Sequence, residues 1–239
     1  MFHGWQKQEP PGQAALRTVQ GTIEDVLTRT LQQRINLVGA SRTDSGVHAR
    51  GQVAQFDAAT RLPVERMAEA INSRLPEDVE IVTAEITTNQ FNAISGAVSK
   101  QYRYRIFNTA RRPLELRNYV YHCWTPLEVD RMNDAASRLI GEHDFAGLSA
   151  IDHDRLSTVR TIHSCHVEKA INTPEVHVVV SGSGFLYNMV RILAGTLVEV
   201  GRRRFDPNVI ETILDTKDRR QAGPTLPPTG LWLEWIKYE

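Results

Sequence analysis

Of the 239 residues, 28 are Lys or Arg and 28 are Asp or Glu; 41% are hydrophobic and 23% charged. These proportions exclude a disordered or membrane-embedded chain. The formal charge of zero excludes a generically sticky polyanion binder, so any nucleic-acid contact has to be local.

The length suits one large domain or two small ones, at about 150 residues per domain. No apolar run approaches ~18 residues, and the start, Met1-Phe2-His3-Gly4-Trp5-Gln6, lacks a basic then apolar leader pattern. The expected location is the cytoplasm, with no membrane partner. Cys123 and Cys165 stand far apart without Cys-x-x-Cys spacing, which points to buried thiols and not to a disulfide framework or zinc knuckle. Basic clusters at Arg111-Arg112, Arg202-Arg203-Arg204 and Arg219-Arg220, with Arg103 and Arg105 among aromatics, read either as a one-sided positive face or as solvated surface charge.

In chain order, Val19, Ile23, Val26, Leu27 and Leu31 recur at helical spacing behind the capping residue Thr18 and predict an amphipathic helix over 18–31. Short strands are predicted at 35–38 and 53–56, joined by the run Ser41-Arg42-Thr43-Asp44-Ser45-Gly46-Val47-His48-Ala49. Pro63 at a first helical position, followed by Val64, Met67, Ala68 and Ile71, predicts a helix that stops near Leu75-Pro76. A strand is expected over 79–86.

Tyr102, Tyr104 and Ile106 alternate with Arg103, Arg105 and Phe107, the period of a strand with two chemically different faces; Tyr104 reads as core. Residues 118–123 are expected to pair with it. A helix is predicted over 126–140 with Gly141 as its C-cap, then strands at 161–168 and 176–181. A helix running from Leu186 to Gly201, a shorter one opening at Asp206-Pro207, and a closing strand over 231–238 complete the chain. Helices and antiparallel-looking strands thus alternate in two comparable halves with a break near 96–99. That is an α+β fold class, with an N-terminal domain at 1–97 and a C-terminal domain at 98–239.

In the loop around Asp44, a carboxylate sits beside the guanidinium of Arg42 on a Gly-containing turn. A lone Asp so placed either closes the turn on its own backbone or serves as a nucleophile. His48, four residues on, invites a His–Asp dyad, but a hydrolase would need a Ser or Cys partner that sequence does not place. The runs His163-Ser164-Cys165-His166 and Asp152-His153-Asp154 invite a metal. On a strand, however, His163 and Cys165 face away from His166, and no paired ligand motif completes four positions, so no metal is expected.

The Asp44 run, continued by Gly51-Gln52-Val53 and Phe56, closely resembles the signature of the tRNA pseudouridine synthase A family. Further similar segments follow the family's order: His3-Gly4-Trp5-Gln6, Lys100-Gln101-Tyr102-Arg103-Tyr104, Gly141-Glu142-His143-Asp144-Phe145, and Phe185-Leu186-Tyr187-Asn188-Met189-Val190-Arg191 with Gly195. Val200-Gly201, Asp218-Arg219 and Gly230-Leu231-Trp232-Leu233 before Tyr238 extend the match across essentially the whole chain.

The resemblance implies two ferredoxin-like α/β halves that form one continuous, mostly antiparallel sheet with an RNA-binding cleft. It implies isomerisation of uridine to pseudouridine in the tRNA anticodon stem-loop, at tRNA positions 38 to 40, by a homodimer that needs no cofactor. Asp44 would be the nucleophile, attacking C6 of the base or C1′ of the sugar. Arg191 would pair with it, since burial alone protonates a carboxyl group and a fixed cation opposes this. Arg42 would contact the RNA and help displace the target base, Tyr102 would stack on the uracil, and Leu231 would pack beneath it.

Two departures stand out. Family members carry a strand and a Tyr-Asp-Gly turn ahead of the Gly-Trp-Gln element, so the expectation is that a first strand is missing here through a shortened chain or a misassigned start. The segment Phe91-Asn92-Ala93-Ile94-Ser95-Gly96-Ala97 lacks a His after the Phe and has Ile94-Ser95 where an Arg-Phe pair is usual. Both departures favour the rival reading, a catalytically impaired RNA-binding homologue. Ser41 and Ser45 replace Gly and Ala and should be tolerated.

Overall fold

The computed structural model describes residues 1–8, 12, 14–150 and 157–239, and the elements below are those of the described residues. Its contacts divide the chain into two compact units: residues 1–46 and 52–97 with 239, and residues 47–51 with 98–238.

In the first unit, α1 (Val19–Leu31) begins where the Thr18 hydroxyl accepts the Gly21 amide at 3.3 Å, the N-cap its sequence calls for. Its apolar stripe, Ile23, Val26 and Leu27, packs with Trp5, Ile35, Leu37, Met67 and Ile71 into one small core. Strand β1 (Val38–Gly39) is followed by β2 (His48–Ala49), which joins the second unit, and then by β3 (Ala54–Gln55), antiparallel to β1 with Val38 opposite Gln55. These strands are shorter than the apolar runs around them. Pro63 precedes a single 3₁₀ turn, Val64–Arg66, and the helix proper, α2 (Met67–Asn72), starts only after it.

The strand expected over 79–86 is not one. Val79, Ile81 and Ala84 do pack on the core, while Val82 and Ile86 are exposed. The backbone of Ile81, however, is satisfied by the Asn72 amide, which accepts from its N–H at 2.7 Å and donates to its carbonyl at 2.9 Å. A side chain has taken the place of a neighbouring strand.

The second unit is built on a seven-stranded sheet in the order β2, β9, β4, β8, β7, β6, with β5 attached to β4. Its further strands are β4 (Ala97–Asn108), β5 (Tyr121–Cys123), β6 (Gly141–Asp144), β7 (Val159–Lys169), β8 (Glu175–Gly182) and β9 (Leu231–Tyr238). β4 with β8, β8 with β7, and β7 with β6 are antiparallel; β2 with β9 and β4 with β5 are parallel. Mixed helix and mostly antiparallel sheet is the α+β class expected.

Tyr102, Tyr104 and Ile106 of β4 align with Val180, Val178 and Val176 of β8. This face is covered by α3 (Val129–Ser137), α4 (Met189–Gly201) and α5 (Val209–Thr216) in one core. Tyr104 is fully buried there, as its position two residues from Tyr102 on one strand face predicts. Helix α3 is shorter than its periodic residues: past Ser137, the amides of Arg138, Leu139 and Ile140 bond three residues back, a 3₁₀ tail. Gly141 therefore opens β6 at φ +118° and caps no helix.

Candidate active site

The Asp44 loop is gripped from below by the chain's first residues. Gly4, at φ +91°, brings its backbone so close that a Cβ there would lie 2.8 Å from the Thr43 carbonyl oxygen, a place only glycine can take. Next to it the Trp5 amide donates to that oxygen at 3.0 Å, and the Ser45 hydroxyl donates to the Phe2 carbonyl at 3.2 Å. The Trp5 indole lies against Gly39, where a side chain would collide with it. On the other flank Gln52 donates to the Ser41 carbonyl at 2.6 Å, and the Ala40 amide donates to the Val53 carbonyl at 2.8 Å.

Asp44 emerges from this support half-buried, and Arg42, two residues before it, is exposed. Both belong to the first unit. The departing segment after Phe91 is a turn tied to β3. The Gln55 side chain donates to the Phe91 carbonyl at 3.2 Å and accepts from the Ala93 amide. Asn92 Oδ1 accepts from the Ile94 and Ser95 amides, each at 2.9 Å, and Ile94 points to solvent.

Tyr102, Arg191 and Leu231 belong to the second unit. Tyr102 is 7% exposed, with the Phe185 ring edge-on at 5.1 Å. Arg191 lies in the first turn of α4, behind Asn188, whose left-handed backbone (φ 59°) starts the helix. Its guanidinium is aimed by two acceptors: Nε donates to the Leu226 carbonyl and Nη1 to Asn188 Oδ1, each at 2.7 Å. Leu231 opens β9 as part of the core. Phe185, Asn188 and the Leu226 carbonyl are supports to which the sequence alone assigns no role. The first two lie inside the Phe185 to Arg191 motif, which is the signal that could have found them.

His48 does not project as a hydrolase base would. Its ring stacks on Trp232 at 4.4 Å between centroids, lies 5.1 Å from Tyr119, and bonds the Asn118 carbonyl through Nε2 at 2.8 Å. Burial lowers its pKa, aided by the nearby Arg105 and opposed by the Asn118 carbonyl.

Several of the basic clusters are neutralised locally. Arg105 makes a two-pronged pair with Glu175, both contacts at 2.8 Å, and Arg103 meets Glu234 and Glu168, each at 3.0 Å. Arg202 and Arg204 both pair with Glu199, Arg203 pairs with Glu128, and Arg220 pairs with Asp218. Arg111 and Arg112 remain exposed.

Among the described residues, no three His, Cys, Asp or Glu side chains converge as a metal site would. His163 instead bonds Ser99 through Nδ1 at 3.2 Å. The run Asp152-His153-Asp154 lies outside the described residues. No helix among them is long and apolar enough to cross a membrane.

The profile of a family described as tRNA pseudouridine synthase matches residues 1–93 and 135–239. Over 237 residues the chain is 40% identical to a protein of Thermoanaerobacter sp. (strain X514) named tRNA pseudouridine synthase A; the match spans 99% of this chain and 94% of that one. A like-named protein of Caldicellulosiruptor saccharolyticus is 41% identical over 237 residues, with the same coverage. One of Bacillus pumilus is 41% identical over 240 residues, covering 100% of this chain and 94% of the relative.

Proposed function

The chain belongs to the tRNA pseudouridine synthase family, and from that premise we propose which residues carry its reaction. It is an isomerase acting on tRNA, converting uridine to pseudouridine. The conversion breaks the N1–C1′ bond, turns the uracil and rejoins it through C5 with loss of the C5 proton. Nothing is oxidised or reduced and no net water is consumed, so the residues need to supply a nucleophile, a route for the proton and a pocket that retains the base.

Asp44 is the nucleophile in this reading. The observation that carries it is the grip on its loop: backbone bonds at Thr43 and side-chain bonds from Ser45 and Gln52 hold the segment on both sides of a half-buried carboxylate. Such support is what a reacting group requires to keep its geometry.

Arg191 supplies the fixed positive charge the chemistry requires, its guanidinium aimed by Leu226 and Asn188. Exposed Arg42 engages the RNA and helps swing the target nucleotide out of its stack, at a cost of a few kcal/mol. Tyr102 meets the uracil, its ring set by Phe185, and Leu231 lies beneath the base. The substrate region is the anticodon stem-loop, and the working enzyme is a cytoplasmic homodimer.

Tritium release from tRNA labelled at C5 of uridine tests the reading. The protein should release tritium, and Asp44→Ala should abolish release while still binding tRNA. Retained release in the variant would remove Asp44 from its role; absent release from the unaltered protein, with tRNA still bound, would favour the impaired homologue.

A further inference from the structure

The segment from Gly223 to Leu231 is a strap laid across α4, and it is fixed at successive points. Gly223 sits so close to Gly195 that a side chain on either would collide with the other's stretch of backbone. The Gly223 amide donates to Thr196 Oγ1 at 2.9 Å. Next, Leu226 and Arg191 bond reciprocally: the Leu226 amide donates to the Arg191 carbonyl at 3.3 Å, and Arg191 Nε donates to the Leu226 carbonyl at 2.7 Å. One residue further, the Pro227 carbonyl accepts the Tyr104 hydroxyl at 2.7 Å. Gly230 then lies directly on the Tyr104 ring, where a Cβ would stand 2.8 Å from Cζ. Leu231 follows at once.

Tyr104 thus touches the strap on both sides of Pro228 and Thr229. It reaches out from β4, a strand inside the sheet, and is fully buried. It bonds the strap to the sheet between the carbonyl that aims Arg191 and the start of β9. Proline at 227 and 228 has no N–H to give, so the strap's hold at this point comes through a carbonyl accepting from outside.

We propose that Tyr104 is a positioning residue for the uridine isomerisation: its hydroxyl, by holding the Pro227 carbonyl, sets the adjoining Leu226 carbonyl and thereby the direction of the Arg191 guanidinium. This rests on the role given to Arg191 above. Burial pushes the phenol's pKa upward, so the hydroxyl keeps its proton and remains a donor throughout the working pH range.

The test is a double-mutant cycle on the full chain with tritium release as the readout. Tyr104→Phe should lower kcat about fivefold to tenfold, the loss expected of one neutral hydrogen bond, with KM for tRNA unchanged within about twofold. In an Arg191→Lys background, where Nε and its bond to Leu226 are gone, the same change should have no further effect on kcat. A merely structural tyrosine would give equal losses in both backgrounds, and that result, or a Tyr104→Phe enzyme of unaltered kcat, overturns the proposal. Wild-type activity in Arg191→Lys, which keeps a cation but not the aimed Nε–H, overturns this inference, and wild-type activity in Arg191→Ala overturns the role of Arg191 itself. Should Tyr104→Phe fail to fold, Pro227→Gly loosens the same strap at an exposed position. It should reproduce the kcat loss alone and lose it in the Arg191→Lys background; additive losses there overturn the proposal equally.

Discussion

Gly4 lies directly beneath Thr43: the point a Cβ on Gly4 would occupy is 2.8 Å from the Thr43 carbonyl oxygen, and the next residue's amide donates to that same oxygen. The Gly-Trp pair near the start of the chain is therefore a mould for the Asp44 loop. Gly4→Ala should cost about 1 to 3 kcal/mol of stability, since φ +91° is strained for any side chain. Because the displaced atoms adjoin Asp44, tritium release should fall by more than the loss of folded protein explains. Denaturant unfolding and kcat on the same preparation check this; proportional losses would make Gly4 a fold residue only.

On the sheet face away from the helices, Arg105 and the buried Glu175 form a part-buried fork, with His177 at 2.9 Å from the same carboxylate. Burial by itself would raise the Glu175 pKa; the Arg105 fork and then His177 bring it below the ordinary 4.5. A depressed carboxyl contributes stability above its unfolded pKa and loses it as pH falls. Arg105→Ala should thus cost about 3 kcal/mol near neutrality, the low end for breaking a buried pair, because His177 remains. The deficit should shrink below about pH 4.5 as the stranded carboxylate takes up a proton. Urea unfolding at pH 7 and pH 4 gives the comparison; a deficit that grows on acidification contradicts the assignment.

Acidification should also act through His48. Its pKa lies below the ordinary 6.5 because the ring is buried, with Arg105 adding to the shift. Arg50 and Arg105 both stand over the Trp232 ring on which His48 stacks, so the protonated form would meet two guanidiniums, each already paired with a carboxylate, Glu234 and Glu175. The stabilising contribution is complete above about pH 6.5 and is lost as pH falls through the lower folded value. Melting temperature should drop less between pH 7.5 and pH 5.5 for His48→Gln than for the unaltered protein. Equal drops would show that His48 does not carry the effect.

Both cysteines are buried, and burial pushes the Cys165 thiol up to about 12. Thiolate is the reactive form, so a thiol reagent at pH 8 should titrate neither residue in the native protein and both in strong denaturant. A rapidly reacting thiol in the native protein would show that one of the two sites opens.

Much of the architecture is legible in local pattern. Thr18 caps its helix, the period-two run of β4 separates an aromatic core face from a charged one, and β9 spans Leu231–Tyr238 as read. These features depend on residues close in sequence, where periodicity and capping chemistry act directly. The apolar residues after Val79 misled because they record contact with a core, which a strand and an irregular segment meet equally well. Only the distant Asn72 amide decided between them. The helix end before Gly141 escaped for a related reason, since Leu139 keeps its buried place from a 3₁₀ tail as readily as from a helix.

By itself the sequence determined the chemical identities of the residues proposed for the reaction: a carboxylate on a glycine-bearing turn, an arginine opening a helix, a tyrosine on a strand, in an order that resembles one family. Tertiary structure alone decided what holds them. The supports are mostly main-chain atoms, such as the Thr43, Leu226 and Pro227 carbonyls, and every residue type carries a carbonyl. Composition cannot mark which of them is used; only the folded path of the chain brings Tyr104 to Pro227 across 123 residues and lays Gly4 under Thr43.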